Sequence, residues 1–206
     1  MRNYFYKIGF FEIDSKKLYD EWHAVGTKND MFNRTENFVG SRTLDHRAST
    51  PFYYKLLINY PSTLDENIDP VWLDGSDDNH GAGDDATFTI NNIMKDFQNS
   101  YTAEVVSKVN EFLKTKYKEY RTTVIKYAVL KPNSYIREHV DKSSIPRFFL
   151  SVNAPKGCYM EVCGEKHSLS ETGALFRLMC NVPHSPINNS DDYRLMISFD
   201  VVPVQK

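Results

Sequence analysis

The side chains best suited to chemistry in this 206-residue chain are His139, Asp141, His184 and Arg194. His139 and Asp141 are separated by one residue at the end of a predicted strand. The period of two therefore sends both side chains to one face and offers a nitrogen and an oxygen at one point. His184 follows 43 residues after Asp141 on another candidate strand and can add a second nitrogen. Two imidazoles and one carboxylate on one face of an octahedron hold non-haem Fe(II), leaving three positions open for a cosubstrate and dioxygen. A His-x-Asp with a later His also arises by chance among hydrogen-bonded surface or core residues, so the triad alone leaves both readings open. Arg194 narrows the choice. It lies ten residues beyond His184, and the turn residues Asn188 to Asp192 must reverse the chain between them. A guanidinium there is suited to gripping a carboxylate with paired hydrogen bonds. A keto acid that chelates iron at one end, such as 2-oxoglutarate, needs a fixed cation of this kind at the other.

The elements that position these groups are mostly strands. From Thr122 onward, eight short runs of strand-forming residues are predicted at about 123–130, 134–140, 146–152, 157–163, 166–169, 174–179, 182–187 and 193–202. Turn residues such as Lys131-Pro-Asn, Ala154-Pro-Lys-Gly and Asn188-Asn-Ser-Asp-Asp separate them. Eight strands in about 80 residues fit a sandwich or jelly roll in which two sheets enclose a pocket. In the last run, Leu195, Ile197, Phe199 and Val201 share one face and Arg194, Met196, Ser198 and Asp200 the other. If the apolar set lies under a helix, Arg194 points between the sheets. If the apolar set is the sandwich interior, Arg194 meets solvent.

Upstream the pattern is mixed. Val105, Val106, Val109, Phe112, Leu113 and Tyr117 form one apolar stripe, predicting a helix over about 102–117. Asp14 or Ser15 can cap a shorter helix through about residue 24, with Leu18 and Trp22 on one face. A strand is predicted over 53–59. Between Asp65 and Asp85 there are eight acidic residues and no basic ones. Asp74-Gly-Ser-Asp-Asp-Asn lacks the order and terminal Glu of an EF-hand, so this reads as a solvated loop. Trp72 and His80 make the 65–98 region a candidate lid over a site.

Composition bounds the partners. Lys plus Arg is 25 and Asp plus Glu 27, a net charge of −2, which argues against a broad nucleic-acid or anionic-membrane surface. The 41% apolar and 25% charged fractions are those of a globular chain. Tyr and Phe, 13 of each, favour β structure. No run approaches a membrane helix and the N-terminus lacks a signal-peptide core, so a cytoplasmic location is expected. Three cysteines without a CxxC pair argue against disulfides and structural zinc and are expected to be small buried residues.

The stretch Lys126-Tyr-Ala-Val-Leu-Lys-Pro-Asn-Ser-Tyr-Ile-Arg-Glu-His-Val-Asp141, then Arg147-Phe-Phe-Leu-Ser-Val, then Phe176-Arg-Leu-Met-Cys-Asn-Val-Pro-His184 through Arg194 to Asp200 resembles the aspartyl/asparaginyl β-hydroxylase branch of the Fe(II)/2-oxoglutarate oxygenases. That branch includes free-proline cis-hydroxylases. The likeness covers about residues 120–203. It implies a mainly β fold, a cupin-like double-stranded β-helix (jelly roll) with N-terminal helices packed on the outer sheet. It divides the chain into an extension at 1–120 and a catalytic core at 121–206 within one compact domain. It also implies Fe(II), 2-oxoglutarate and O2, with His139, Asp141 and His184 on the metal. Arg194 would take the distal carboxylate, and Arg147 would lie near the cosubstrate or a substrate carboxylate. The implied reaction hydroxylates an amino-acid side chain, free or in a peptide or protein, and yields succinate and CO2. Two positions depart from the family: Ala128 stands where a serine is frequent and Phe149 where a histidine is. Tyr127, Ser151 or Asn188 are the candidate substitutes, and Arg147 or Arg177 could hold a substrate carboxylate. The alternatives are a non-catalytic jelly-roll protein binding a metal or small molecule, which Ala128 and Phe149 favour, and an AlkB-type nucleobase dealkylase, which the charge balance disfavours. Oligomeric state is not legible.

Overall fold

A computed structural model of the chain describes residues 3–33, 53–61, 71–73, 91–141 and 144–204. The acidic run at 65–85 lies outside these residues apart from the backbone of Val71–Leu73, as do His80 and the proposed lid character of 65–98 up to residue 90. The elements in chain order are β1 (Phe5–Phe10), α1 (Ser15–Lys28), β2 (Tyr53–Pro61), β3 (Val71–Leu73), β4 (Asn91–Ile93) and α2 (Tyr101–Lys116). The jelly-roll strands follow: β5 (Tyr120–Leu130), β6 (Ser134–Tyr135), β7 (Pro146–Asn153), β8 (Cys158–Val162), β9 (Glu165–Ser168), β10 (Ala174–Met179), β11 (His184–Asn188) and β12 (Arg194–Pro203).

Successive jelly-roll strands alternate between two sheets. The larger carries the order β1-β10-β7-β12-β5-β2-β3, with β4 also on β2; the smaller is β6-β11-β8-β9. Every pairing is antiparallel. This is the double-stranded β-helix. The N-terminal strands widen its larger sheet on both edges.

Two apolar clusters separate the faces of that sheet. Leu195, Ile197, Phe199 and Val201 of β12 join Phe148, Leu150 and Val152 of β7 beneath Leu18 and Trp22 of α1 and Val105, Val109 and Leu113 of α2. Met196 of β12 and Ala128 and Leu130 of β5 instead meet Cys158, Met160 and Val162 of the smaller sheet. The apolar stripe of β12 thus lies under the helices, and the face carrying Arg194 looks between the sheets.

Both helices begin where their caps predict. Asp14 Oδ1 accepts from the Lys17 N–H, and Ser100 Oγ accepts from the Ala103 N–H. Glu21 of α1 reaches across to accept from the Tyr101 and Thr102 N–H groups at 2.9 and 2.7 Å, supplying α2 with a carboxylate at its positive end. α1 runs to Lys28, a turn beyond the expected end, because the buried stripe continues through Val25 and Gly26.

The structure adds β1, β3 and β4, which the sequence patterning did not announce. β1 has broken alternation: a bulge between Lys7 and Gly9 puts Phe5 in the inter-sheet cluster and Ile8 under the helices. β6 is shorter than the expected 134–140. Beyond it only an isolated bridge between His139 and His184 continues the pairing. All three cysteines are free, but Cys163 is exposed, contrary to the expectation of three buried ones. No described helix is long and apolar enough to cross a membrane.

Candidate metal and cosubstrate site

The bridge places the two histidines. The His139 N–H donates to His184 O at 3.0 Å and the His184 N–H to His139 O at 2.9 Å. The next alternate position, Asp141, is tied by its own N–H to Cys180 O at 2.9 Å. The side chains of His139, Asp141 and His184 then converge, with one potential ligand atom from each lying within 4.8 Å of the others.

Their electrostatics suit a divalent metal. His139 Nδ1 lies 2.7 Å from Arg137 O, and His184 Nδ1 lies 2.9 Å from Val182 O. A carbonyl can only accept, so each Nδ1 carries the proton and each Nε2 keeps its lone pair. Burial, followed by the neighbouring His139, holds the His184 pKa below its ordinary value, which keeps the imidazole neutral and ligating. Asp141 is asymmetric. Its Oδ1 lies 3.6 Å from His139 Nε2, while its Oδ2 lies 3.4 Å from Arg147 Nη1.

Arg194 begins β12, opposite Leu130 of β5, and is 3% exposed. It faces the same inter-sheet space, where its charge acts on the Cys158 thiol. The interior between the smaller sheet and the inward face of β12 is walled by Ala128, Leu130, Met160 and Met196.

The three candidate substitutes for the missing family side chains fare differently. Tyr127 is on the wrong face: its hydroxyl lies 2.8 Å from Thr102 Oγ1 and donates to Leu18 O, under the helices. Asn188 faces inward, but Nδ2 donates to the carbonyls of Leu130, Lys131 and Asp192, and Oδ1 accepts from Ser190. Its amide closes the turn between β11 and β12. Ser151 also faces inward, yet its hydroxyl donates to Leu169 O at 2.8 Å and so has no proton to give a carboxylate. Ala128 and Phe149 thus have no polar replacement among these three. Arg177 is corrected as well. It lies on the outward face of β10, its guanidinium carbon 5.7 Å from the centre of the Tyr6 ring, and cannot hold a substrate at the metal site.

Two buried groups the sequence reading passed over belong here. Lys126 and Asp200 form an ion pair on the inward face of β5 and β12, and Asp200 Oδ1 also accepts from Arg147 Nε at 2.7 Å. Strand parity was the available signal, since Asp200 shares the face of Arg194 and Lys126 that of Ala128. Elsewhere, a groove of about 610 Å³ opens beneath α2, lined by Val106, Leu113, Tyr117, Tyr120 and Phe148. It lies on the far side of the larger sheet and borders none of the candidate residues.

Residues 81–203 match the sequence model of a family described as aspartyl/asparaginyl beta-hydroxylase. No curated protein matches. Among solved structures, the chain is similar to a viral collagen prolyl hydroxylase from Paramecium bursaria Chlorella virus-1, described as a 2OG complex. Identity is 15% and TM-score 0.40, over 50% of this chain and 73% of that one. It is similar to an oxidoreductase of the 2OG-Fe(II) oxygenase family from Burkholderia pseudomallei at 12% identity and TM-score 0.42, over 54% and 59%. It is also similar to a Cupin_2 domain of an XRE family transcriptional regulator from Enterobacter cloacae at 15% identity and TM-score 0.34, over 42% and 84%.

Proposed function

Since the chain belongs to the aspartyl/asparaginyl β-hydroxylase family, we propose that it is an Fe(II)- and 2-oxoglutarate-dependent dioxygenase that hydroxylates an amino-acid side chain, free or within a peptide. The products would be succinate, CO2 and the hydroxylated substrate. The observation that carries this reading is the convergence of His139, Asp141 and His184 at one end of an inter-sheet space whose wall also carries the buried Arg194.

The donor set fits the metal. Two neutral imidazole nitrogens and one carboxylate oxygen suit Fe(II), and three ligands leave positions for a chelating keto acid and dioxygen. When bound, the iron would supply dioxygen activation coupled to decarboxylation of the keto acid. The protein's own work is orientation and exclusion. The carbonyls of Arg137 and Val182 fix the imidazole tautomers. Arg194 supplies a buried fixed cation for the distal carboxylate of 2-oxoglutarate. Ala128, Leu130, Met160 and Met196 keep the interior apolar, so charge interactions there are strengthened and water is excluded. The test is a screen of free amino acids and short peptides for stimulated succinate release. One class should raise the rate above the uncoupled background. No stimulation by any class, with no background turnover, would contradict the reading.

A second reading has one observation in its favour. Ala128 and Phe149 remove two polar groups, and neither Tyr127, Ser151 nor Asn188 replaces them. On that reading the chain is a jelly-roll protein that binds a metal or small molecule without turnover. Binding of 2-oxoglutarate without succinate formation would favour it.

A further inference from the structure

Four side chains of alternating charge run in contact from the space between the sheets to the metal-site candidates. The Lys126 ammonium pairs with Asp200 Oδ2, Asp200 Oδ1 accepts from Arg147 Nε at 2.7 Å, and Arg147 Nη1 lies 3.4 Å from Asp141 Oδ2. Strand order explains the contact, because β12 lies between β5 and β7 and each contributes one inward-facing group. Side-chain exposure is 7% at Lys126, 3% at Asp200, 23% at Arg147 and 18% at Asp141, so the anchor is the buried end.

Lys126 alone is enough to neutralise Asp200. The second bond, to Arg147 Nε, is not needed for charge balance. What it does is fix the plane of the guanidinium, since a contact at Nε removes rotation about the end of a long side chain. That plane decides which Asp141 oxygen is engaged. With Oδ2 facing Arg147, Oδ1 is turned to the side of His139 Nε2.

We infer that Lys126, Asp200 and Arg147 form a positioning relay that holds Asp141 so that a single oxygen, Oδ1, is presented beside the two imidazoles, and that this relay sets the metal affinity. The inference rests on the metal reading above and adds two residues, Lys126 and Asp200, that touch no metal or substrate. Partners that orient a ligating carboxylate change metal affinity by roughly 10–100-fold when removed.

The test is Mn(II) binding followed by electron paramagnetic resonance of the free ion, with urea unfolding of the same metal-free samples. His184→Ala serves as the site-null control. Asp200→Asn keeps the shape but loses the charge, and should weaken Mn(II) roughly 10- to 100-fold. The pair Lys126→Met with Asp200→Leu replaces the buried ions by apolar groups. Its stability should return to near wild type, as is common for such replacements, while its Mn(II) affinity stays weak. Arg147→Lys, at a half-buried position, keeps the charge and loses the planar fork, and should also weaken Mn(II). If the double variant regains wild-type affinity along with its stability, or if Asp200→Asn or Arg147→Lys binds as wild type does, the relay is overturned while the metal site stands. If wild type binds no better than His184→Ala, the metal reading fails and the relay with it.

Discussion

His139 and His184 are joined by a reciprocal pair of backbone hydrogen bonds, 3.0 and 2.9 Å long, and their rings lie with centroids 4.2 Å apart. The two residues come from segments 45 positions apart in the chain, and one backbone bridge brings both imidazoles to one point. Because the bridge is backbone, replacing either ring leaves it intact, and each imidazole can be removed without dissolving the local fold.

Arg194→Ala separates the cosubstrate from the metal. Losing one partner of a buried charge pair costs about 2–5 kcal/mol, so the 2-oxoglutarate affinity should fall on the order of 100-fold. Mn(II) affinity should stay at the wild-type level. Isothermal titration with 2-oxoglutarate in the presence of Mn(II) checks both. Unaltered 2-oxoglutarate binding would remove Arg194 from the site.

Asn188→Ala should act on stability. The substitution strips hydrogen bonds from the carbonyls of Leu130, Lys131 and Asp192 and from the hydroxyl and backbone N–H of Ser190. Buried groups left unsatisfied cost about 1–3 kcal/mol each, and relaxation of the turn recovers part of that, so a loss of about 2–4 kcal/mol is expected in urea unfolding. A large loss of 2-oxoglutarate affinity with unchanged stability would instead make Asn188 a binding residue.

Gly173→Ala should loosen β1. Gly173 has φ +83°, and a Cβ there would sit 2.1 Å from Phe11 O, the residue whose N–H donates to Gly173 O. Left-handed backbone and this contact together predict a loss of about 2 kcal/mol or more. Hydrogen exchange should show the loss concentrated at the β1 to β10 pairing. Uniform protection across the sheet would contradict it.

Stability of the metal-free protein should narrow at both ends of the pH scale. Burial pushes the Cys180 thiol up to about 12 from 9.0, and burial together with Tyr6 pushes Tyr117 up to about 12 from 10.0. Above about pH 9 the unfolded chain releases protons the folded chain keeps, so stability falls as pH rises toward 12. At the acid end, unfolded His184 takes a proton near its ordinary 6.5 while the buried ring resists it, so stability falls as pH drops below that value. Urea midpoints from pH 5 to 11 check this, on the order of one point per unit. Cys180→Ala should flatten the loss just above pH 9, where its thiol first departs from the unfolded chain.

Much of this architecture is legible in the residues. Turn punctuation after Thr122 marks the eight jelly-roll strands, and Asp14 and Ser100 mark the helix starts. The orientation of β12 is not legible from its alternation alone, because Arg194 to Asp200 are buried on both faces. It takes the apolar stripe of α2 to show which face is covered. β1 escapes because its bulge and Gly9 break the period of two. Lys126 and Asp200 escape for a different reason: a charged residue on a strand is ordinarily read as solvent-facing, since charged groups are rarely buried unless paired. Tyr127 shows the converse. Its hydroxyl made it a candidate ligand, but odd and even positions of β5 face opposite sides, and Tyr127 shares its face with Ile125 and Val129 under the helices.

The central claim is that His139, Asp141 and His184 hold Fe(II) together with 2-oxoglutarate. Anaerobic titration of Fe(II) into the protein with 2-oxoglutarate, followed by the visible absorption band of the iron–keto acid chelate, tests it most directly. A saturable band in the wild type that His139→Ala and His184→Ala both abolish is the predicted result. No band at saturating concentrations, or an equal band in His184→Ala, would contradict it.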